Sequence, residues 1–250
     1  MKIEHIFIEP REVAERHIKE LQAAGLSFKG KRILDIGCGT GAYTRLMAEQ
    51  GAALVTGVDN TPGNIELARE INSVSNVEFV CADIEDWEIR GPFDFIFIRS
   101  SISYLNEDLE VIISNLVGML APDGNLFVTF MNTNPRALVR NTIKRCAVQL
   151  PEVLHPALRT TLTAIYSCVV FLVNREKPDW DILENKMNTI FFPLRHLVDP
   201  ATASRILVKN GLSVAGFFAE QGQNPSLSDE YGIWAVPGPE RHSSSQDIPE

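Results

Sequence analysis

The chain has few cysteines, little positive charge and no long apolar run. Its four cysteines are widely separated and form no Cys-x-x-Cys pair: Cys38, Cys81, Cys146 and Cys168. Neither a disulfide framework nor a zinc or other metal site is therefore predicted. The formal net charge of −9 argues against a general affinity for nucleic acid. The longest apolar stretch, 161–173, is shorter than the roughly 20 residues of a membrane span, and we expect a buried helix there.

The N-terminus has neither the apolar stretch nor the small-residue cleavage site of a signal peptide. We therefore expect a cytoplasmic protein that does not bind membranes. With 250 residues and 45% apolar side chains, the chain is large enough for one α/β domain that carries an insertion. The tail from 237 to 250 is rich in proline, serine and charge, and we expect it to be disordered.

Short apolar runs alternate with helical stretches between residues 31 and 131. The predicted strands are 32–36, 53–59, 77–83, 93–98 and 125–130. An amphipathic helix over 12–24 precedes them, and 106–120 is also predicted to be helical. Since helices make the crossovers between parallel strands, this alternation predicts a doubly wound parallel sheet. Ligands bind such sheets outside the carboxyl ends of the strands.

The segment 132–210 is longer than one crossover requires. Apolar residues recur with a helical period over 138–150, 158–172 and 180–190. The first of these stretches contains Leu138, Ile143, Cys146 or Ala147, and Leu150 at helical spacing. We predict a helical insertion over about 134–195. A last crossover helix over 200–210 and two final strands, 212–218 and 231–236, follow it.

The turn Asp35-Ile-Gly-Cys-Gly-Thr-Gly41 directly follows a strand and opens a helix. Glycines allow a tight turn and let a ligand approach the backbone, and the helix N-terminus offers free N–H groups. With Ala42 the glycines also satisfy the looser dinucleotide pattern Gly-x-Gly-x-x-Ala. Taken alone, the turn leaves open an adenosylmethionine site, a nicotinamide site and a tight turn without a ligand.

Asp59 ends the next strand, where a carboxylate can accept both hydroxyls of a ribose. Thr61 precedes Pro62 and is expected to cap the following helix, so that Asp59 is not needed as a cap. An acid at this position suits both adenosylmethionine and nicotinamide cofactors.

Several segments together resemble the class I S-adenosylmethionine-dependent methyltransferases. Residues 33–41 resemble their motif I, and Asp59 matches their ribose-binding acid. Cys81-Ala-Asp83-Ile84 resembles the strand-three motif whose acid holds the adenine amino group while the next residue packs on the ring. Residues 120–127 are similar to the family's turn into strand five, and 211–217 to its entry into a final hairpin. The matches over 30–131 come in the family's order and spacing.

The resemblance implies a Rossmann-like α/β fold, with a seven-stranded sheet of order 3-2-1-4-5-7-6. An N-terminal helix caps this sheet, and a helical insertion lies between strands five and six. Residues 1–236 then form a single methyltransferase domain. The implied cofactor is S-adenosyl-L-methionine, and Asp35 with the Asp83-Ile84 pair favours it over NAD. The implied cofactor-binding residues are Asp35, Gly37, Cys38, Gly39, Gly41, Asp59, Asn60, Asp83, Ile84 and Ser100.

The segment after strand four, 99–105, contains no Asp-Pro-Pro-Tyr motif, which argues against a nucleobase or glutamine nitrogen as acceptor. The substrate-binding candidates are Arg99, Tyr104 and Arg195. Tyr104 and His196 are the catalytic candidates, because an imidazole can take a proton from a hydroxyl acceptor. The alternatives are that Tyr104 packs locally, that His196 is a loop histidine and that Arg195 is a surface charge.

Arg136, Arg140 and Lys144 share one helical face. Such a stripe is a solvated surface or a docking site for an acidic carrier protein. The favoured function is methyl transfer to a small molecule by a monomer or homodimer. One alternative is a same-fold enzyme that uses the cofactor for cyclisation or aminocarboxypropyl transfer and releases methylthioadenosine in the latter case. The other is a binding module, or a methyltransferase that acts on a carrier-tethered or macromolecular partner.

Overall fold

The computed structural model describes residues 9–86, 91–151, 154–174, 194–219, 224–226 and 228–239. The side chains of Arg136, Arg140, Pro156 and 166–174 are also outside the description. The predicted helical stretch 180–190 and the tail beyond residue 239 lie outside the described residues. The chain divides into two compact units, 1–134 with 196–250, and 135–195.

The strands of the described residues are β1 (Arg32–Ile36), β2 (Leu54–Asp59), β3 (Val77–Cys81), β4 (Phe93–Ile98), β5 (Leu120–Met131), β6 (Leu212–Ala219) and β7 (Glu230–Pro237). The helices are α1 (Arg11–Ala23), α2 (Ala42–Glu49), α3 (Pro62–Glu70), α4 (Leu109–Gly118), α5 (Pro135–Val148), α6 (His155–Asn174) and α7 (Pro200–Lys209). A 3-10 turn, Ile102–Tyr104, follows β4. None of the described helices is long and apolar enough to cross a membrane.

The strands form one seven-stranded sheet of order β3-β2-β1-β4-β5-β7-β6, which confirms the predicted fold class. Strands β1 to β5 run parallel, and β7 lies antiparallel between β5 and β6. The central strands are apolar along their length because both faces of the sheet are covered. Ile33, Leu34, Phe95 and Ile96 are fully buried as a result. Because β1, β2 and β4 run parallel, their carboxyl ends meet at one edge of the sheet.

Each face of the sheet has its own apolar core. Helices α1 and α2 bury Ile18, Leu21 and Met47 against Phe95 and Phe97 of β4 on one face. Helices α4 and α7 cover the other face, where a second cluster contains residues of β1, β4, β5 and β7. Asp199 caps α7 by accepting the amides of Ala201 and Thr202 at 3.1 and 3.0 Å. Hydrogen bonds from the side chain and the amide of Thr202, and from the Ala201 amide, hold the pKa of the Asp199 carboxyl below its usual value.

Two of the predicted boundaries are wrong. Strand β5 starts at Leu120 rather than at residue 125, because Leu120 pairs with Phe93 before Asn125 pairs with Phe95. The residues between them form an irregularity within the strand instead of a turn ahead of it. Helix α4 starts at Leu109 rather than at residue 106, because the Asn106 and Glu107 amides donate to Glu85 at 2.7 and 2.6 Å.

In the second unit, the apolar residues that recur along α5 are mostly exposed. Leu138, Ile143 and Leu150 are 47%, 51% and 40% exposed. The buried residues are instead Ala137, Asn141, Lys144 and Ala147, of which only Ala147 belongs to the apolar period. Asn141 sets this orientation, since its side chain accepts the Leu194 amide at 2.9 Å and donates to the Leu194 carbonyl at 3.2 Å. Burial of Lys144 also removes it from the predicted basic stripe.

Candidate active site

The glycine turn joins the end of β1 to the start of α2. Gly37, Gly39 and Gly41 have φ values of 69°, 54° and 78°, a region that favours glycine. The amides of Gly37 and Cys38 donate to the Val58 carbonyl at 2.7 and 3.0 Å, which ties the turn to β2. A β-carbon on Gly37 would lie 1.9 Å from the Ser101 hydroxyl oxygen. The turn is therefore held close to the segment that follows β4 and has no room for a side chain there.

Asp35 places a buried carboxylate directly under this turn. It is 2% exposed, and the Thr44 hydroxyl donates to its Oδ2 at 2.6 Å. Burial, with a smaller contribution from the nearby Asp59, raises the pKa of Asp35 to about 7. A cationic group brought next to Asp35 would stabilise its ionised form. The neighbouring Cys38 is buried, and burial raises the pKa of its thiol, so it is not an activated nucleophile.

Asp59 uses both carboxylate oxygens to connect the end of β2 with the glycine turn and α3. Its Oδ2 accepts the Gly39 amide at 3.0 Å. Its Oδ1 accepts the Thr61 amide at 2.9 Å and the Asn64 side-chain amide at 3.1 Å. The expectation that Thr61 caps α3 is wrong: Thr61 stands at the N-cap position, but its side chain makes no capping hydrogen bond. Asp59 instead binds the amides at the start of this helix.

The remaining predicted cofactor residues follow neighbouring strands. Asp83 comes two residues after β3, and its Oδ1 accepts the Glu85 amide at 3.1 Å. Ile84 is partly buried against the core on the α4 side of the sheet. Asn60 is exposed directly after Asp59. These residues and the glycine turn belong to the same edge of the sheet, as the strand ends predict.

Ser100 lies directly after β4 in a strained backbone conformation. Its φ of 58° is left-handed, which is uncommon for a residue other than glycine. Its amide donates to the Thr129 hydroxyl at 2.7 Å, and its own hydroxyl donates to Glu230 Oε1 at 2.6 Å. Thr129 donates to the same oxygen at 2.7 Å. Glu230 thus holds the ends of β4 and β5 together.

Arg99 points toward α1 and α2. Its guanidinium lies 5.2 Å from the centre of the Tyr43 ring and forms an ion pair with Glu9 at 3.1 Å. The His17 Nδ1 lies 2.6 Å from the Tyr43 hydroxyl oxygen. Sequence reasoning identified neither Glu9, Tyr43 nor Glu230 as part of this site, because each is far from β4 along the chain.

The other substrate and catalytic candidates are not all brought together. Tyr104 ends the 3-10 turn and is 36% exposed. The His196 amide donates to the Ser103 carbonyl at 3.3 Å, which places the two catalytic candidates on adjoining segments. The Nε2 of His196 is buried and has no hydrogen-bond partner among the described residues. Arg195 is exposed and belongs to the second unit, so it is not grouped with these residues.

The geometry fits the methionine end of S-adenosylmethionine. This group carries an ammonium, which suits the buried Asp35 carboxylate, and a carboxylate, which suits the N-terminus of α2. The absence of side chains lets the turn pack closely against Ser101 and Phe79. The sheet order is that of a Rossmann-like methyltransferase fold.

Comparisons with known proteins show a similarity to methyltransferases. Residues 33–124 match the family described as "Methyltransferase domain". The magnesium protoporphyrin IX methyltransferase of Synechocystis PCC 6803, solved with bound SAH, has a TM-score of 0.56 and 18% identity over 91% of this chain and 83% of its own. The chain therefore has the fold of this S-adenosylmethionine-dependent methyltransferase, and its segment 33–124 is similar to a methyltransferase domain.

Curated relatives match only part of this chain. A malonyl-[acyl-carrier protein] O-methyltransferase of Acetivibrio thermocellus is 42% identical over 100 residues, which are 39% of this chain and 35% of the relative. A ubiquinone biosynthesis O-methyltransferase of Neisseria meningitidis serogroup C is 33% identical over 114 residues, 44% of this chain and 48% of the relative. The match thus spans less than half the length of either relative.

Proposed function

We infer that the protein transfers a methyl group from S-adenosylmethionine to a small-molecule acceptor. The observation that carries this inference is the buried Asp35 carboxylate beneath a side-chain-free turn, within a segment that matches a methyltransferase domain. When bound, the cofactor supplies a sulfonium-activated methyl group. Relatives named for malonyl-[acyl-carrier protein], ubiquinone biosynthesis and trans-aconitate support a small acceptor.

The chain's own residues would hold the cofactor and align the acceptor. Asp35, the glycine turn and the N-terminus of α2 that follows it would hold the methionine end, and Asp59 would hold the ribose hydroxyls. Asp83 and Ile84 would hold the adenine, with Cys38, Asn60 and Ser100 completing the site. Since the leaving group is already activated, proximity and orientation supply most of the required rate enhancement.

His196 and Tyr104 are the proposed groups for moving a proton off a hydroxyl acceptor. The unpartnered Nε2 of His196 supports this role, because a buried ring nitrogen without a partner is available to accept a proton. The 3.3 Å hydrogen bond from the His196 amide to Ser103 keeps the histidine beside the turn that carries Tyr104.

A carrier-tethered acceptor is the second candidate. It is supported by the 42% identity to a relative that is named for an acyl-carrier protein substrate. The basic stripe supports it less than expected, because Lys144 is buried. Reversing Arg136 and Arg140 to glutamate should abolish a salt-sensitive complex with a malonyl-loaded carrier protein. Unchanged methylation of that carrier by the variant would exclude the stripe as its docking site.

We also infer that residues 1–236 act as one catalytic domain, with 134–195 as an insertion in it. The free thiols of Cys38, Cys81 and Cys146 are typical of a reducing compartment, which supports a cytoplasmic enzyme.

Mass spectrometry of the purified protein tests the proposed reaction. The protein is incubated with adenosylmethionine alone and then with a metabolite extract. S-adenosylhomocysteine that forms only with the extract supports methyl transfer. Methylthioadenosine would indicate attack on the aminocarboxypropyl chain and overturn the proposal. Asp59→Asn should lose product formation, whereas Asp86→Asn, at an exposed position after β3, should retain it.

A further inference from the structure

A cavity of about 210 Å³ opens on the sheet face beside α1. Its floor is aromatic and is formed by Phe97 of β4, Phe127 of β5 and Phe218 of β6. Phe97 and Phe127 stack with their centroids 5.2 Å apart, and Phe218 meets Phe127 edge-on at 5.6 Å. A floor of ring faces and edges suits a compact, flat apolar body.

Arg16, His17 and Arg99 line this cavity beside the aromatic rings. Burial, together with Arg99 and Arg16, lowers the pKa of His17 to about 4, so the ring is neutral. Burial raises the pKa of Tyr43, so its hydroxyl keeps its proton. The hydroxyl oxygen lies 2.6 Å from the His17 Nδ1, and the neutral imidazole carries one proton that it can donate.

The Arg99 guanidinium already holds a carboxylate that belongs to the chain itself. Its partner Glu9 precedes α1, and the two side chains are only 21% and 11% exposed. The pair shows that this guanidinium binds a carboxylate that is not part of the sheet. An uncompensated buried charge is costly, so whatever replaces Glu9 must bring a negative charge of its own.

The other charges that line the cavity are balanced. Arg16 and Arg99 stand against Glu20 and Glu230, which also line the cavity. Glu230 is engaged by the hydroxyls of Ser100 and Thr129. Replacing the Glu9 carboxylate by that of a ligand leaves the number of charges around Arg99 unchanged.

We propose that this cavity binds the acceptor through a carboxylate attached to an aromatic or apolar body, with the carboxylate on Arg99 in place of Glu9. The term acceptor rests on the proposed methyl transfer, whereas the binding itself is tested without turnover. The carboxylate serves as an anchor in this proposal.

Isothermal titration calorimetry with 1-naphthoate and its neutral isostere 1-naphthamide tests the proposal on protein saturated with S-adenosylhomocysteine. Wild type should bind the naphthoate more tightly than the amide. Arg99→Gln should weaken naphthoate binding about tenfold, the effect of losing a charge-assisted hydrogen bond, and leave naphthamide binding within about twofold. Glu9→Gln should tighten naphthoate binding about threefold or more, because it removes the competing carboxylate.

The double variant Glu9→Gln/Arg99→Gln should bind naphthoate no better than Arg99→Gln, and it leaves no unpaired charge to disturb folding. Arg205→Gln removes the same charge from an exposed position on α7 and serves as the matched control. An equal loss of naphthoate affinity in Arg205→Gln and Arg99→Gln would overturn the proposal, as would equal wild-type affinities for naphthoate and naphthamide.

A third contrary outcome concerns the cofactor. If Arg99→Gln weakens S-adenosylhomocysteine binding and leaves naphthoate binding unchanged, Arg99 holds the cofactor's carboxylate and the proposal fails. Failure of the proposed function itself is distinguishable, because mass spectrometry would then detect no S-adenosylhomocysteine formed with the extract. The naphthoate comparisons among the variants do not depend on that assay.

Discussion

The Thr44 hydroxyl donates a hydrogen bond to Asp35 Oδ2 over 2.6 Å, and both residues are almost completely buried. One hydroxyl replaces only part of the hydration that the carboxylate loses on folding. Burial therefore raises the pKa of Asp35 to about 7 in spite of this bond. The site keeps a carboxyl group that titrates near neutral pH directly under the glycine turn.

The stability of the fold should depend on pH through Asp35. Between its ordinary pKa of 3.8 and about 7, the folded chain holds a proton that the unfolded chain has released. The contribution of Asp35 to the free energy of unfolding then falls by about 1.4 kcal/mol per pH unit as pH rises through this window. In urea unfolding across this range, Asp35→Asn should gain stability relative to wild type with rising pH. Parallel curves for the two proteins would contradict the assignment.

Binding of S-adenosylhomocysteine should release a proton near neutral pH. The product carries an ammonium, and an ammonium beside Asp35 favours its ionised form. Calorimetric titrations in two buffers of different ionisation enthalpy measure this proton. Asp35→Asn should abolish the release, and Asp86→Asn should leave it unchanged. Equal proton release by wild type and Asp35→Asn would assign the proton to another group.

Gly37→Ala should weaken the binding of S-adenosylhomocysteine much more than Gly30→Ala. The two glycines have similar φ values of 69° and 73°, so a β-carbon costs about 1–2 kcal/mol of backbone strain at either position. Only at Gly37 does it also collide with Ser101; at Gly30 nothing lies within 4 Å. We expect Gly37→Ala alone to weaken S-adenosylhomocysteine binding at least about tenfold, measured by calorimetry.

Ser101→Gly removes the colliding atoms and should restore part of the affinity that Gly37→Ala loses. Equal losses of affinity in Gly30→Ala and Gly37→Ala would show that backbone strain, rather than the close approach to Ser101, explains the glycine.

Glu230 should stabilise the fold because its Oε1 accepts hydrogen bonds from the hydroxyls of both Ser100 and Thr129. Glu230→Leu leaves both hydroxyls without this acceptor and should cost about 2–3 kcal/mol in urea unfolding. Glu230→Gln keeps a carbonyl oxygen and should cost less than half as much. The corresponding changes at Glu78, which is exposed on β3, provide the control. If the leucine and glutamine variants of Glu230 are equally stable, the shared hydrogen bonds contribute nothing.

His17 should give a pH dependence of opposite sign to that of Asp35. Its pKa falls from 6.5 to about 4 in the folded chain, so between these values only the unfolded chain binds the proton. Its contribution to stability is complete above about pH 6.5 and is lost as pH falls toward 4. His17→Gln should remove this loss in urea unfolding at low salt. A wild-type loss that persists in the variant would contradict the assignment.

The sequence predicted those parts of the site that are contiguous. Asp35 and the glycines form one uninterrupted motif, and Asp59 and Asp83 follow strands that are recognisable from their apolar runs. The sheet order came from the family resemblance and is confirmed. Local patterns were sufficient here because parallel strands deliver their ends to one edge.

Side-chain pairing across long separations could not be predicted in this way. Glu230 is 130 residues from Ser100, and Glu9 is 90 residues from Arg99. Thr61 was expected to cap α3, but the carboxylate two residues earlier reaches its amide instead. The burial of Asn141 on α5 depends on its two hydrogen bonds to the backbone of Leu194, which is 53 residues away.

Glu230 also connects two parts of the chain. The stretch that is similar to a methyltransferase domain, 33–124, contains the residues proposed to hold the cofactor and ends before Thr129 and Glu230. The closing hairpin supplies the acid that fixes the end of β4, together with Phe218, which lines the cavity. Under the proposed function, exchanging this hairpin between relatives should alter acceptor preference while cofactor binding is kept.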